Sequence, residues 1–109
     1  MKTVTQITLL SGVSAAGAGA EIGNGSGESF VFAFAPGAFT AEIKAQGYLG
    51  GNWYDLIVVN LSDGTTAAVV TAAGAYTVPC AYGFEKLRLY VSAYTVGTIT
   101  AVGRTCRTN

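Results

Sequence analysis

The chain has 109 residues with six basic and six acidic side chains, so its net charge is zero. This length fits one domain, and the balanced charge argues against a nucleic-acid-binding protein, which needs a basic face for phosphates. Charged residues make up 11% of the chain, against about 25% in a typical soluble protein. A monomer of this size exposes roughly 5,700 Å², or about 470 Å² per charge. We therefore expect other subunits to cover part of the surface; the alternative is a monomer with a Thr/Ser/Gly/Ala-rich surface.

The N-terminal segment alternates polar and apolar residues. Met1-Lys2, the stretch "ITLLSGVSA" and the Ala-Gly-Ala sequence at 18–20 imitate a secretory signal with its cleavage site. Polar residues at positions 3, 5, 6 and 8 interrupt the apolar stretch with the spacing of a strand, so we predict that residues 3–10 form the first strand. No apolar run approaches the ~20 residues of a membrane helix, and we expect no membrane partner.

Residues 11–27 have a different composition, with six of the fifteen glycines of the chain. We predict a Gly/Ala/Ser-rich loop here, or an arm that becomes ordered on a neighbouring subunit. Seventeen extended residues could reach up to ~56 Å, enough to cross a subunit boundary. Ala20, Ile22 and the turn-like pair Asn24-Gly25 leave open a brief edge strand within this segment.

Two alternating runs follow, separated by a predicted turn at Pro36-Gly37. In the run at 30–34, phenylalanine alternates with smaller residues. The run at 39–46 has period two, which predicts one inward set (Phe39, Ala41, Ile43 and Ala45) and one outward set (Thr40, Glu42, Lys44 and Gln46).

Later segments complete the strand pattern. Residues 53–61, "WYDLIVVNL", are apolar on both faces, which predicts a central strand covered on two sides. Asp63-Gly64 is typical of a hairpin turn. Leucines at 87 and 89 alternate with Arg88, and a closing hairpin is predicted at Val96-Gly97, with glycine at a positive φ and a last strand running to about Cys106. A bulge or a close backbone contact is expected at Gly103.

These segments give about eight short strands with turns every 8–12 residues and no helix signal. We predict one all-β domain spanning residues 1–109, an antiparallel β-sandwich that is jelly-roll-like, with an immunoglobulin-like sandwich as the alternative.

The residues for common catalytic chemistry are missing from the sequence. It contains no histidine, which excludes Ser-His-Asp and Cys-His sites. Cys80 and Cys106 lie 26 residues apart and form no zinc pattern; they are either inert thiols or one disulfide. Two interpretations of Asp55 remain open. It pairs with a basic residue, Arg88 or Lys86, or it faces a ligand-binding groove. We expect no enzymatic activity, no cofactor and no metal.

One aromatic cluster could bind a ligand. Tyr48, Asn52, Trp53 and Tyr54 surround the predicted Gly50-Gly51 turn, where stacking and hydrogen bonds could hold a sugar. The late arginines, Arg104 and Arg107, are interpreted as a polar finish to an edge strand or as contacts to a neighbouring subunit.

The C-terminal half resembles the last strands of small all-β virion proteins of tailed bacteriophages and prophages. The resemblance is carried by "GAY" at 74–76, "LRL" at 87–89 and "YTVGTIT" at 94–100, with "WYDLIVVNLSDGTTA" upstream, and covers about residues 53–105. It implies a structural virion subunit, foremost a homo-oligomeric capsid decoration (cement) protein that binds copies of itself and the major capsid protein. The alternative is a carbohydrate- or receptor-binding module of a phage tail or fibre.

Overall fold

The computed structural model describes residues 6–23, 29–79 and 81–106, and in this part of the chain all regular structure is β-strand. Eleven strands follow in chain order: β1 (Ile7–Val13), β2 (Gly17–Ala18), β3 (Ile22–Gly23), β4 (Ser29–Phe34), β5 (Phe39–Leu49), β6 (Asn52–Leu56), β7 (Val58–Asn60), β8 (Thr66–Ala67), β9 (Ala75–Val78), β10 (Lys86–Gly97) and β11 (Ile99–Cys106). No helix within the described residues is long and apolar enough to cross a membrane.

The strands form two antiparallel sheets that pack as a sandwich. The six-stranded sheet has the order β1-β11-β4-β9-β7-β8. The other sheet has the order β2-β10-β5-β6, and β3 also pairs with β10. The predicted all-β sandwich is confirmed. The expected count of about eight strands was too low, because the chain changes sheets within segments that looked continuous in sequence and adds two short strands near its N-terminus.

The core lies between the sheets and is built by strict alternation. In β4 the phenylalanines at 30, 32 and 34 are buried, whereas Val31 and Ala33 between them are half-buried. Their rings continue into Tyr76 of β9, which lies 5.6 Å from Phe32. The opposing sheet contributes Ile43, Ala45, Leu87, Leu89 and Val91, each fully buried. Of the inward residues predicted for 39–46, Ala41, Ile43 and Ala45 are buried and Phe39 is half-buried against the core. Gln46, predicted to face outward, lies on the outer face but is also buried, because it is bonded to neighbouring side chains there.

The segment at 53–61 is not one central strand, and that prediction was wrong. It contains β6 at the edge of the five-stranded sheet and β7 in the other sheet, and Ile57 lies between them with 56% of its surface exposed. Leu56 and Val58 both reach the core, one from each sheet. The chain turns at a corner of the sandwich, and this explains why both faces of the segment looked apolar in sequence.

The predicted closing hairpin at Val96-Gly97 is also a corner, because β10 and β11 belong to different sheets. Gly97 does have a positive φ, 106°. A Cβ on Gly97 would lie 2.7 Å from the carbonyl oxygen of Ala38 and 2.7 Å from Cα of Phe39. The glycine is therefore needed for both its backbone conformation and its close approach to the start of β5.

A close approach also explains Gly103, as the sequence predicted. A Cβ there would lie 2.8 Å from the carbonyl oxygen of Val31 and 2.6 Å from a methyl group of Leu9. Gly103 pairs with Ile7 on one side and Phe32 on the other, so β11 packs closely against both β1 and β4.

The described part of the predicted loop at 11–27 packs on the chain itself. Residues 11–13 continue β1, and both β2 and β3 pair with β10. The amide of Gly19 donates to Leu89 O at 2.8 Å, and that of Ala20 donates to Leu9 O at 2.9 Å, so this segment bonds to both sheets. Residues 24–28, including the Asn24-Gly25 pair, and residues 3–5 of the predicted first strand lie outside the described part.

Replacing Gly97 by alanine is expected to lower the free energy of unfolding by more than about 1 kcal/mol, because the new Cβ combines an unfavourable φ with two backbone clashes. Gly23→Ala is the matched control, since a Cβ there meets nothing within 4 Å. Denaturant unfolding of both variants is the measurement. Equal stability of the two variants would contradict the assigned geometry.

Candidate functional site

The outer face of the five-stranded sheet carries a ladder of aromatic and polar side chains. The pairing of β5 with β10 and β6 places their outward residues in rows across the sheet. One row joins Lys86, Tyr48 and Trp53, and the next joins Arg88, Gln46 and Asp55. We call this surface the aromatic–polar face; its residues are Lys44, Gln46, Tyr48, Trp53, Asp55, Lys86, Arg88 and Tyr90.

Cations lie over the aromatic rings of this face. The Arg88 guanidinium carbon is 4.0 Å from the Trp53 ring centroid and 5.4 Å from that of Tyr90. The Tyr48 and Trp53 rings are tilted against each other with centroids 5.1 Å apart, and Lys86 Nζ lies 4.8 Å from the Tyr48 centroid. Each contact is a cation–π or aromatic interaction that restrains the rings on the sheet.

A chain of hydrogen bonds connects the polar residues of the same face. Arg88 Nε donates to Gln46 Oε1 at 2.8 Å, and Gln46 Nε2 donates to Asp55 Oδ1 at 2.8 Å. Lys44 Nζ donates to Asp55 Oδ2 at 3.0 Å. Gln46 is a buried polar residue, 9% exposed, and its amide is satisfied at both ends. The hydrogen bond from Gln46, followed by that from Lys44, lowers the pKa of the Asp55 carboxyl below its usual 3.8.

Asp55 is paired, but not with the partners that the sequence suggested. Arg88 and Lys86 were the expected partners, whereas the carboxylate binds Lys44 and Gln46. The register explains the difference, because Asp55 lies directly opposite Gln46 on β5 and β10 is one strand further away.

The predicted aromatic cluster divides between two faces of β6. Tyr48 and Trp53 meet on the outer face. Alternation along β6 places Asn52 and Tyr54 on the opposite face, where Tyr54 pairs with Gly47 and is 49% exposed. Phe84 covers Gly47, since a Cβ there would lie 2.6 Å from its ring. Tyr54 and Asn52 therefore do not share a site with Trp53.

The two predicted arginine contacts have different outcomes. Arg104 is exposed on β11, which lies between β1 and β4, so the interpretation as the finish of an edge strand was wrong. Arg107 lies outside the described residues. Cys80 and the side chain of Cys106 do as well. Among the described residues, no group of three His, Cys, Asp or Glu could hold a metal ion.

Sequence reasoning named Arg88 only as a possible partner of Asp55 and did not include it in the ligand-binding cluster, although Arg88 joins the aromatic and polar parts of the face. The signal was available, because the alternation of residues 39–46 and 87–91 already assigned Gln46, Lys44 and Arg88 to outward positions. The missing information was the register that places the two strands side by side.

Asp55→Asn is expected to flatten the loss of stability in acid. Because the folded-state pKa is lowered, the carboxylate stabilises the native state above its unfolded pKa of about 3.8 and that contribution is lost as the pH falls through the lowered value. Urea unfolding midpoints measured between about pH 5 and 2 should fall more steeply for the parent than for the variant. Parallel profiles would contradict the role given to Asp55.

Neither a family model nor a curated protein sequence matches the chain. Two solved structures are similar to it. The SPBc2 prophage-derived protein YomS superposes with a TM-score of 0.82 at 19% identity, covering 94% of this chain and 92% of YomS. The PBSX exported protein XepA superposes with a TM-score of 0.76 at 19% identity over 96% of this chain, which spans 39% of XepA. These similarities establish that the chain has the fold of YomS and of the part of XepA that it covers.

Proposed function

We propose that the chain is a non-enzymatic structural protein of a bacteriophage particle that acts as a homo-oligomer and decorates or stabilises the capsid. The observation that carries this proposal is an outer face on the six-stranded sheet whose described strands carry a single charge. Its partners would be copies of itself and the major capsid protein, with no role for nucleic acid or a membrane.

This second surface, the valine–threonine face, consists of Thr8, Val31, Ala33, Val59, Thr77 and Val102, with Arg104 at one side. The pairing places Val102 beside Ala33, and Val31 between Arg104 and Thr77. Arg104 is the single charge that the described strands of this sheet carry. Small, mostly β-branched side chains in an almost uncharged array are suited to packing against another protein surface.

The size of this face suits a modest interface. The strands β1, β11, β4, β9 and β7 have 7, 8, 6, 4 and 3 residues. At about 3.3 Å per residue and about 4.8 Å between strands, they give roughly 440 Å² of area. Two such faces together reach roughly 900 Å², which is below the about 1,200 Å² of stable specific interfaces and in the range of weak, transient ones. The whole chain exposes 5800 Å², so such a contact would cover less than a tenth of it. We expect concentration-dependent self-association.

The phage assignment is supported by the likeness to the SPBc2 prophage-derived protein YomS, which extends over nearly the full length of both chains. The resemblance of residues 53–105 to virion proteins agrees with it. XepA is named an exported protein, so a location in the virion is the part of this proposal that needs its own test.

Light scattering coupled to size exclusion tests the oligomer. The parent protein should associate as its concentration rises, and Val102→Lys should shift it towards the monomer, because a charge would be buried at the contact. Thr40→Lys, at an exposed outward position of the other sheet, is the matched control. A monomeric parent at high concentration would overturn the homo-oligomer.

Co-purification with phage particles tests the location. Tagged protein should sediment with virions or capsids, and it should resist removal by high salt if apolar burial supplies most of the affinity. Protein found only in the soluble fraction would contradict a structural role in the particle.

The aromatic–polar face favours a second candidate function, a carbohydrate- or receptor-binding module of a tail or fibre. Aromatic rings and directional polar groups on one outward surface are the usual elements of a saccharide site. Trp53 is the single tryptophan, so its fluorescence reports directly on this face. We expect a change in its emission with at least one saccharide of a broad panel; no response would contradict this candidate.

A further inference from the structure

We propose that the aromatic–polar face binds a saccharide bearing a carboxylate, and that the Arg88 guanidinium holds the carboxylate. The proposal rests on the second candidate function and adds the ligand class to it. Its basis is the position of one guanidinium that has no carboxylate partner among the described residues and lies within 5.4 Å of the Trp53 and Tyr90 ring centroids on an outward sheet surface.

The charges of the face leave Arg88 as the cation that is available. Lys44 Nζ lies 3.0 Å from the Asp55 carboxylate, and Lys86 Nζ lies 3.4 Å from that of Glu21. Arg88 makes no ion pair with any described residue and uses Nε on the Gln46 amide at 2.8 Å. A guanidinium has five N–H donors, and the four on the terminal nitrogens of Arg88 have no hydrogen-bond partner among the described residues.

The covered rings argue against a neutral sugar as the preferred ligand. A neutral sugar binds an aromatic ring through its C–H face, but the Trp53 ring carries the Arg88 guanidinium at 4.0 Å and the Tyr48 ring carries Lys86 at 4.8 Å. Stacking on those ring faces would displace a cation–π contact. A ligand that contacts the free edge of the guanidinium keeps both contacts in place.

The geometry around Arg88 fits a carboxylate. Its Nε bond to Gln46 fixes the orientation of the guanidinium plane, and Gln46 is itself fixed by Asp55. A planar fork restrained in this way can donate two parallel hydrogen bonds to a planar carboxylate. The rings of Trp53 and Tyr90 lie 4.0 and 5.4 Å from the guanidinium carbon, and both residues are half-buried, so aromatic surface lies beside the guanidinium for contact with a sugar ring.

One unpaired positive charge matches a carboxylate better than a phosphate. A phosphate carries up to two charges and three acceptor oxygens, and its sites usually combine several positive groups or backbone amides. On this face the two lysines are already neutralised by acidic partners. The face therefore offers one unpaired positive charge, which matches the single negative charge of a uronic acid carboxylate.

Titration of Trp53 fluorescence with an oligogalacturonate tests the proposal. The expected result is saturable binding that is lost, or at least tenfold weaker, with the methyl-esterified oligosaccharide, which has the same sugar backbone without the charge. Oligoglutamate and glycerol phosphate are the comparison anions, the first without sugar rings and the second without a carboxylate. Both should bind at least tenfold more weakly than the oligogalacturonate.

Three arginine variants locate the binding. Arg88→Gln should weaken the oligogalacturonate at least tenfold, whereas Arg104→Gln, which removes the same charge from the outer face of the other sheet, should leave the affinity unchanged. Arg88→Lys keeps the charge but removes the fork, and it should also weaken binding. Far-UV circular dichroism and thermal unfolding check that each variant is folded, and Arg88→Lys serves as the test if Arg88→Gln does not fold.

Each contrary result identifies what fails. Equal binding of the esterified and free saccharides would overturn the carboxylate while leaving the carbohydrate-binding function standing. Equal or tighter binding of oligoglutamate or glycerol phosphate would overturn the ligand class. Equal weakening of binding by Arg88→Gln and Arg104→Gln would overturn a specific site at Arg88, because it would show that any positive charge attracts the acidic saccharide. The absence of any response to neutral or acidic saccharides would overturn both this inference and the second candidate function.

Discussion

The two-residue alternation of β10 is the constraint on which the rest of the structure depends. Leu87 and Leu89 are completely buried between the sheets, so Arg88 between them must face outward. β10 pairs with β5 on one side and with β2 and β3 on the other, which fixes its register from both sides. The position of the guanidinium is therefore set by the packing of the core, and a slip of one residue would exchange the buried and exposed sets together.

The two outer faces of the sandwich use different physical interactions. The valine–threonine face has small side chains and one charge, so any affinity it has would come from excluding water over a broad area. The aromatic–polar face has directional contacts, with Gln46 joining Arg88 to Asp55. The first kind of surface tolerates many partners of suitable shape, and the second discriminates by geometry and charge. Because the faces belong to opposite sheets, both could be occupied at once.

The sequence predicted local structure well and long-range placement poorly. Alternation identified the inward residues of β5, and glycine chemistry identified the positive φ of Gly97 and the close approach at Gly103. Two of the failures, at 53–61 and at Val96-Gly97, are corners where the chain leaves one sheet for the other. A corner and a hairpin have similar turn residues, because the chain changes direction in both. They differ in whether the next strand pairs with the preceding strand or with a strand of the other sheet, and the turn residues do not encode that choice.

The candidate site illustrates the same limit. Tyr48 and Trp53 lie close in sequence around a short turn, so their meeting could be predicted. Arg88 is 35 residues from Trp53 along the chain, and its stacking on that ring depends on the register of three strands. Tyr54, although adjacent to Trp53, faces the other way. Adjacent residues of a strand point to opposite faces of the sheet. Candidate site residues should therefore be grouped by the face they share, and not by their closeness in sequence.

The position of β11 has a consequence for how the protein is made. This strand, Ile99–Cys106, follows the other described strands in sequence and lies between β1 and β4, both of which are synthesised before it. Until β11 has been made, β1 and β4 each present an unpaired edge, and the phenylalanine-rich β4 is partly uncovered. Slow synthesis of residues 99–106 would therefore prolong the time during which the nascent chain can pair with other chains and aggregate.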